Sequence, residues 1–200
     1  MSAFLYYTVE KGGFWMFTLT VHDGLYLKLL EPKDARAVYM LIQQSKNHLR
    51  KWLFWVDGTK KLEDSEAFIE ESMKQQAANN GFQAGIWYQG EFAGIIGLHY
   101  INWINRTTSI GYWLGEPFQG KGIMTDACRA LIDQLFNEYE LNRIEIRAAV
   151  KNVKSQAIPE RLGFTKEGCL RQCEWLHDHF ADHFVYGLLR EEYAAAQRKS

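Results

Sequence analysis

The sequence predicts an α+β fold in which a mixed, mostly antiparallel central sheet carries helices on both faces. Three observations lead to this prediction. Residues 82–114 alternate between apolar and polar with a period of two and contain two short turns, which indicates an antiparallel meander of three strands. Residues 32–81, which precede the meander, have helical spacing. Residues 120–190 run helix, strand, helix and then two strands.

The segment before the meander begins with a strand and two helices. The strand, residues 25–30, ends at Glu31-Pro32, where proline suits a first helical turn because its missing N–H would have no partner there. The first helix is expected to carry four residues on its inward face: Val38, Leu41, Ile42 and Ser45. Residues 47–53 are predicted to form a second, short helix.

The third helix is expected to begin at Asp64 or Ser65, either of which could cap it, and to end at Gly81. Four of its residues are predicted to point inward: Ala67, Phe68, Met73 and Ala77. Three aromatic residues precede this helix: Trp52, Phe54 and Trp55. They can be interpreted as a cover for the core, since clustered aromatic residues usually pack, or as a wall of a substrate cleft.

The segment after the meander supplies the remaining elements. A helix over residues 120–139 has an apolar face of six residues: Ile123, Ala127, Ala130, Leu131, Leu135 and Phe136. A strand over residues 142–150 follows, then a short helix over residues 155–162 that Gly163 closes. The last two strands are predicted at residues 164–170 and 184–190.

Composition indicates one ordinary globular domain. The chain has 200 residues, of which 47% are hydrophobic and 24% charged, enough to bury one core without disulfides or a structural metal. We assign the domain to residues 16–190. Residues 1–15 are interpreted as a possible N-terminal extension and residues 191–200 as a polar C-terminal tail.

Charge and cysteine content exclude several classes of function. The net charge of -1 arises from 23 basic and 24 acidic residues dispersed along the chain, unlike the basic surface of a nucleic-acid-binding protein. No run of about 18 apolar residues is present, so no membrane span is expected, and residues 1–15 do not have the order of a signal peptide. The three cysteines form no C-x-x-C pair, which fits a reducing compartment and hence a cytoplasmic location.

Residues 107–126 carry the most informative pattern, a strand followed by a glycine-rich turn and a helix. Gly120 and Gly122 would allow backbone N–H groups to approach a ligand at the start of the helix, where unpaired donors and the helix dipole favour phosphate. The alternative is a tight turn that needs glycine for its dihedral angles. On the two glycines alone, the tight turn is the more ordinary interpretation.

A nucleotide-hydrolase interpretation of the same segment fails at one position. Gly115 to Lys121 reads G-x-x-x-x-G-K, but Gly122 stands where a phosphate-binding loop of that class has Ser or Thr to hold magnesium. No apolar strand downstream ends in an aspartate that would bind the same metal. Magnesium-dependent nucleotide hydrolysis is therefore not expected.

The hexapeptide Gln119-Gly-Lys-Gly-Ile-Met124 resembles the Q/R-x-x-G-x-G/A signature of the GNAT acetyltransferases. The resemblance extends to Ile110–Leu114, Asn152–Ser155 and Arg161–Phe164, and to Glu167-Gly-Cys-Leu170 with Glu174 beyond it. Together these segments are similar to the RimL branch, which acetylates the N-terminal amine of a ribosomal protein. The similarity covers nearly the whole chain, from about Phe17 to Leu189.

The resemblance implies acetyl-CoA as co-substrate, no metal, and a direct transfer of acetyl to a primary amine within a ternary complex. It implies that Ser155 acts as the acid toward departing CoA and Glu174 as the base toward the amine. The cofactor-binding residues that it implies are Tyr112, Trp113, Leu114, Gln119, Gly120, Lys121, Gly122, Ile123, Met124, Asn152 and Ser155. Two positions depart from the pattern: Met124 replaces Gly or Ala, and Pro159 interrupts the short helix.

Amine chemistry agrees with these roles. An α-amine with a pKa near 8 is about 10% neutral at pH 7, whereas a lysine amine is about 0.04% neutral, a difference of about 3.5 kcal/mol in barrier. One glutamate is therefore adequate as a base for an α-amine. From the residues alone, the more ordinary interpretations come first: Glu174 as a solvated strand carboxylate and Ser155 as a helix cap.

Other activities stay open beside N-terminal acetylation of a ribosomal protein. The acceptor could be a small amine such as a polyamine or an aminoglycoside, or the domain could bind acyl-CoA without catalysis. Residues 177–183 contain three histidines, but their spacing matches no standard zinc pattern, and we expect them to line the acceptor side of the cleft or to be solvated. No histidine adjoins Cys173 to support an acetyl-cysteine intermediate. By analogy with relatives, a homodimer is expected.

Overall fold

The strands predicted from period-two alternation are present in the structure, a computed structural model that describes residues 6–8 and 16–198. The strands are β1 (Tyr6–Thr8), β2 (Met16–His22), β3 (Leu25–Leu29), β4 (Gln83–Tyr88), β5 (Glu91–Asn102), β6 (Thr107–Leu114), β7 (Arg143–Ala149), β8 (Thr165–Leu176) and β9 (His179–Leu189). The helices are α1 (Ala35–Gln44), α2 (Lys46–Leu49), α3 (Leu62–Ala77), α4 (Ile123–Asn137), α5 (Val153–Arg161) and α6 (Arg190–Gln197). The predicted α+β fold, with a mostly antiparallel sheet and helices on both faces, is confirmed.

The sheet has the strand order β1-β2-β3-β4-β5-β6-β7-β9-β8, and all neighbours are antiparallel except β6 and β7. These two strands pair only from Thr107↔Arg143 to Ile110↔Ile146. Beyond that point residues 111–114 remain paired with β5, and residues 147–149 remain paired with β9. The sheet therefore divides between the end of β6 and the end of β7, in its middle.

The helices cover the sheet with the apolar faces that the sequence predicts for α1 and α4. In α1, Val38, Leu41 and Ile42 are buried, and Ser45 at its end is fully enclosed. In α4, five of the six predicted residues have at most 2% exposure: Ile123, Ala127, Leu131, Leu135 and Phe136. The sixth, Ala130, is partly buried against the core.

The predicted inward face of α3 is wrong. Ser65, Ile69 and Ser72 are buried, whereas Phe68 and Met73 are 42% and 44% exposed. Ala67 and Ala77 are also exposed. The buried face combines one isoleucine with two serines, whose small side chains permit close packing of α3 against α1. A pattern that counts only apolar residues misses such a face.

The start of α3 also differs from the prediction. The helix begins at Leu62, so neither Asp64 nor Ser65 is its cap. The Asp64 carboxylate instead accepts hydrogen bonds from the backbone N–H groups of Lys60 and Lys61, at 2.8 and 2.9 Å. These bonds satisfy donors ahead of the helix and hold the pKa of Asp64 below its usual value.

The last hairpin is longer than predicted. Strands β8 and β9 continue to a turn at residues 177 and 178, so most of the histidine-containing segment lies in β9 and not in a loop. Residues 165–173 of β8 are exposed, and this edge position hides the apolar alternation by which strands are recognised.

The ends of the chain differ in how far they are described. The predicted N-terminal extension, residues 1–15, lies outside the described residues except for residues 6–8, which form β1. The predicted polar tail forms the helix α6 as far as Gln197, and no residue of α6 is buried. Within the described part of the chain, no helix is long and apolar enough to cross a membrane.

Candidate active site

The glycine-rich turn before α4 presents backbone donors. Gly120 and Gly122 have φ angles of 73° and 78°, a left-handed conformation that favours glycine. Gly122 is the N-cap of α4, and no side chain caps the helix. The first N–H groups of a helix have no partner within it, and the helix dipole makes this end positive. The turn from Gly120 to Met124 is therefore suited to a phosphate group.

The side chain of Gln119 connects this turn to two other elements. Its amide oxygen accepts a hydrogen bond from Lys154 Nζ of α5 at 3.1 Å, and its amide nitrogen contacts His48 Nε2 of α2. An amide nitrogen can only donate, so His48 is the acceptor and is neutral. Burial lowers the pKa of His48, which agrees with this state, and the nearby Lys154 acts in the same direction.

Packing explains why the segment almost matches a nucleotide-hydrolase loop. A Cβ at Gly115 would lie 2.5 Å from Leu41 Cδ1 of α1, so glycine is needed there for close contact between α1 and the end of β6. Next to it, the Glu116 N–H donates to Ser45 Oγ at 3.0 Å. Gly115 thus serves helix packing, while Gly120 serves the turn, and the spacing between them is a coincidence of two structural needs.

The divided sheet leaves one edge of residues 111–114 without a strand partner among the described residues. Side chains alternate along this edge, so Tyr112 and Trp113 point to opposite faces. Trp113 packs against Trp55 and Phe92, with ring centroids 6.1 and 6.3 Å apart. Of the aromatic residues between α2 and α3, Trp55 thus packs next to the opening, whereas Phe54 is 57% exposed.

Asn152, and not Ser155, caps α5. The Asn152 side-chain oxygen accepts the Ser155 N–H at 3.2 Å, and the helix begins at Val153. Ser155 therefore lies in the first turn, and its hydroxyl is not used as a cap. The interpretation of Ser155 as a plain helix cap is wrong.

Pro159 determines the surroundings of Ser155. Proline has no N–H, so the Ser155 carbonyl, four residues earlier, lacks the helical donor that another residue would supply. Tyr112 Oη replaces that donor at 3.1 Å, and Ser155 Oγ lies 3.4 Å from the same oxygen. Burial raises the pKa of Tyr112, so its hydroxyl stays protonated and can donate. No pattern in the sequence predicted this role for the Tyr112 side chain.

Glu174 lies beside a histidine on the neighbouring strand. Its Oε2 is 3.1 Å from His183 Nε2, and the two side chains are 26% and 16% exposed. The sequence indicated both residues but not their pairing, because a bulge in β8 between Leu170 and Glu174 changes the register. Gln172 in this bulge has a φ of 50°, and its N–H donates to Asp182 Oδ1 at 2.7 Å.

The registers place the Ser155 and Glu174 groups on opposite faces of the sheet. Directly paired residues share a face, and successive residues alternate. Tyr112 lies two residues after Ile110 and shares its face, which is also that of Ile146. Ala149 lies three residues after Ile146, on the other face, and pairs with His183. The opening between β6 and β7 thus has a hydroxyl on one face and a carboxylate on the other.

The remaining candidates in the hairpin have other partners. His177 Nε2 lies 2.8 Å from the Arg50 carbonyl oxygen, which connects the hairpin turn to the segment after α2, and His179 lies 2.7 Å from Asp178. No cluster of three or more possible metal ligands occurs in residues 6–8 and 16–198. Cys173 Sγ lies 3.8 Å from the Ala181 carbonyl oxygen.

Comparison with known proteins gives consistent matches along the chain. A family model described as an acetyltransferase (GNAT) domain matches residues 25–165. A Bacillus subtilis protein provisionally named ribosomal N-acetyltransferase YdaF is 43% identical over 179 residues, covering 89% of this chain and 98% of that one. The ribosomal-protein-serine acetyltransferase of Escherichia coli is 32% identical, covering 84% and 94%. A RimL ribosomal-protein α-N-acetyltransferase solved with coenzyme A has a TM-score of 0.84 and 28% identity, covering 88% and 99%.

We predict that Tyr112→Phe destabilises the fold by about 1–2 kcal/mol, because it leaves the Ser155 carbonyl without a donor. Pro159→Ala supplies a helical N–H to the same carbonyl, so Tyr112→Phe should cost less than half as much in that background. Urea unfolding of the two single variants and the double variant measures both effects. Equal costs of Tyr112→Phe in the two backgrounds would show that Pro159 does not create the need for this bond.

Proposed function

The chain belongs to the GNAT acetyltransferase family, and we propose that it transfers acetyl from acetyl-CoA to the N-terminal α-amine of a ribosomal protein. That it is an acetyl-CoA-dependent N-acetyltransferase follows from the family and its named relatives. The acceptor is the proposal. It rests on relatives that are named for ribosomal-protein acetylation and that match this chain along nearly their whole length.

One structural observation carries the choice of an α-amine. Glu174 is a single carboxylate whose neighbour, His183, pairs with Ala149 at the border of the divided sheet. A single carboxylate suits an amine that is already partly neutral at pH 7, as an α-amine is and a lysine amine is not. Glu174 in this proposal accepts the amine proton during attack.

The same proposal assigns the cofactor side of the site. Backbone N–H groups from Gly120 to Met124 would bind the pyrophosphate, and Lys121 and Gln119 lie in the same turn. The free edge of Tyr112, Trp113 and Leu114 would pair with the pantetheine amides as a further strand does. Asn152 would hold the start of α5 in place. Acetyl-CoA supplies the thioester, and Ser155, held beside Tyr112, would donate a proton toward the departing sulfur.

A homodimer and a cytoplasmic location complete the proposal. β8 lies at one edge of the sheet, and its residues 165–173 are exposed, so it offers a surface for a second copy. An enzyme for a ribosomal protein would meet its acceptor in the cytoplasm.

The acceptor is tested by a screen for acetyl-CoA consumption with three classes of amine: peptides that begin with Ser or Ala, polyamines, and aminoglycosides. We expect the highest kcat/KM with an N-terminal peptide, and mass spectrometry should place the acetyl group on its α-amine. A matched peptide with a blocked N-terminus and a free lysine is the control. Preference for a polyamine or aminoglycoside, or acetylation of the lysine, would contradict the proposal.

Gly122→Val should weaken coenzyme A binding at least tenfold, because a β-branched residue is strained at a φ of 78° and would shift the backbone donors of the turn. Gly90→Val is the matched control, since Gly90 has a φ of 82° in the β4–β5 turn and open space around it. Titration calorimetry with coenzyme A measures both variants. Unchanged affinity in Gly122→Val, or an equal loss of affinity in both variants, would show that the pyrophosphate does not bind at this turn.

Glu174→Gln and Ser155→Ala should fail in different ways. Loss of the base should lower the rate most at low pH, and the deficit should shrink as pH rises because more α-amine is already neutral. Loss of the acid should lower kcat with little change in acetyl-CoA affinity, and less so for thioesters with a more acidic thiol. Rates of both variants are measured from pH 6 to 9 with a peptide that begins with Ser. Near-wild-type rates in both would contradict the catalytic assignment.

A further inference from the structure

His183 occupies a position that the reaction so far leaves unexplained. Its Nε2 is buried from solvent and lies 3.1 Å from Glu174 Oε2. This separation is within hydrogen-bond range, and Nε2 makes no hydrogen bond to any other group in the described part of the chain. A buried ring nitrogen that faces only a single carboxylate is placed to exchange a proton with it.

The bulge in β8 brings the two side chains together. Without it, the register set by Leu170↔His183 would place Glu174 opposite His179, four residues from His183 along β9. The observed register places Glu174 opposite Ala181, so Glu174 and His183 become diagonal neighbours on one face. The Asp182 carboxylate binds the N–H of Gln172 in the bulge and holds this register.

We propose that His183 is a positioning residue for Glu174 that also accepts the proton which the carboxylate removes from the acceptor amine. This inference rests on the proposed role of Glu174 as the base. As the amine nitrogen forms its bond to the acetyl carbon, the C–S bond of the thioester breaks and its electron pair leaves on sulfur, toward which Ser155 donates a proton. An N–H bond of the amine breaks as well, and its electron pair stays on nitrogen. The proton passes to Glu174, and Glu174 passes it to His183 Nε2, so the carboxylate is restored.

The chemistry of the two groups favours this transfer. An imidazole side chain is in general a stronger base than a carboxylate by about two pKa units. A carboxylate that hands its proton to an adjacent imidazole therefore holds the proton in a more favourable place. Only a ring nitrogen that carries no proton can accept one, so the transfer requires a neutral imidazole.

Three other ionisable groups of the neighbouring strands and turn have partners of their own. On β7, Arg147 lies one same-face position from Ala149 and is bonded to Glu145 at 3.2 Å. On β9, Asp182 is bonded to the bulge, and at the hairpin turn His177 lies 3.4 Å from Asp57, which is paired with Arg50. The bulge itself adds Arg171 and Cys173 on β8. None of these bonds involves Glu174 or His183.

The test compares His183→Gln and His183→Asn with wild type over pH 5.5 to 9, with one serine peptide as acceptor. Every variant meets the same amine, so the ratio of wild-type to variant kcat cancels the titration of the amine. We expect wild-type kcat to exceed variant kcat by roughly tenfold near pH 7.5, which is a part of what a general base contributes. The ratio should fall toward one at acidic pH. Acetyl-CoA affinity should stay unchanged. His179→Gln, on the exposed end of the same strand, is the matched control with wild-type rates at each pH.

Three results would overturn the inference. A ratio that is constant with pH in both variants would mean a structural role only, and wild-type rates in both would mean no role. A His183→Gln defect that persists at full size in the Glu174→Gln background would show that His183 does not act through Glu174. Failure of the base assignment itself is recognised separately, because Glu174→Gln alone would then retain wild-type rates. A defective Glu174→Gln with unaffected His183 variants overturns this inference and leaves the proposed function in place.

Discussion

The parting of β6 and β7 is the constraint on which the rest of the site depends. Their parallel pairing stops at Ile110↔Ile146, and each strand then keeps only its outer partner. A sheet edge in the middle of a nine-stranded sheet leaves backbone donors and acceptors that need a partner. An extended molecule with amides supplies one, and the two faces of the opening hold different chemistry, a hydroxyl with Tyr112 and a carboxylate with His183.

Satisfying backbone groups also fixes the individual side chains. The Ser155 N–H donates to the side-chain oxygen of Asn152, and Pro159 leaves the Ser155 carbonyl without a helical donor, so that it accepts a hydrogen bond from the Tyr112 hydroxyl. On the other face, the bulge in β8 has its own N–H bonded to Asp182, and this bond sets the register of Glu174. The reactive groups are thus held by hydrogen bonds to the backbone on two different elements, which is how strands and short helices keep side chains in place at an opening.

Much of the fold could be predicted from the sequence, and the limits have physical causes. Period-two alternation predicted β4 to β6, and the strands β3 and β7 were predicted on either side of them. The apolar stripe of α4 was recovered because nearly every residue of that stripe is buried and apolar. The face of α3 was missed because its buried positions include Ser65 and Ser72. The pairs Tyr112 with Ser155 and Glu174 with His183 join distant segments through a proline and a bulge. Neither a proline nor a bulge has a sequence spacing that predicts which distant residue it brings into contact.

The most direct test is the structure of the protein with a bisubstrate analogue that joins coenzyme A to the α-amine of a serine peptide. We expect the pyrophosphate on the N–H groups of the Gly120 to Met124 turn and the pantetheine along residues 111–114. We also expect the sulfur near Ser155 on one face of the sheet and the amine nitrogen near Glu174 on the other. Coenzyme A outside the opening between β6 and β7, or Ser155 and Glu174 on the same side of the reacting atoms, would contradict this arrangement.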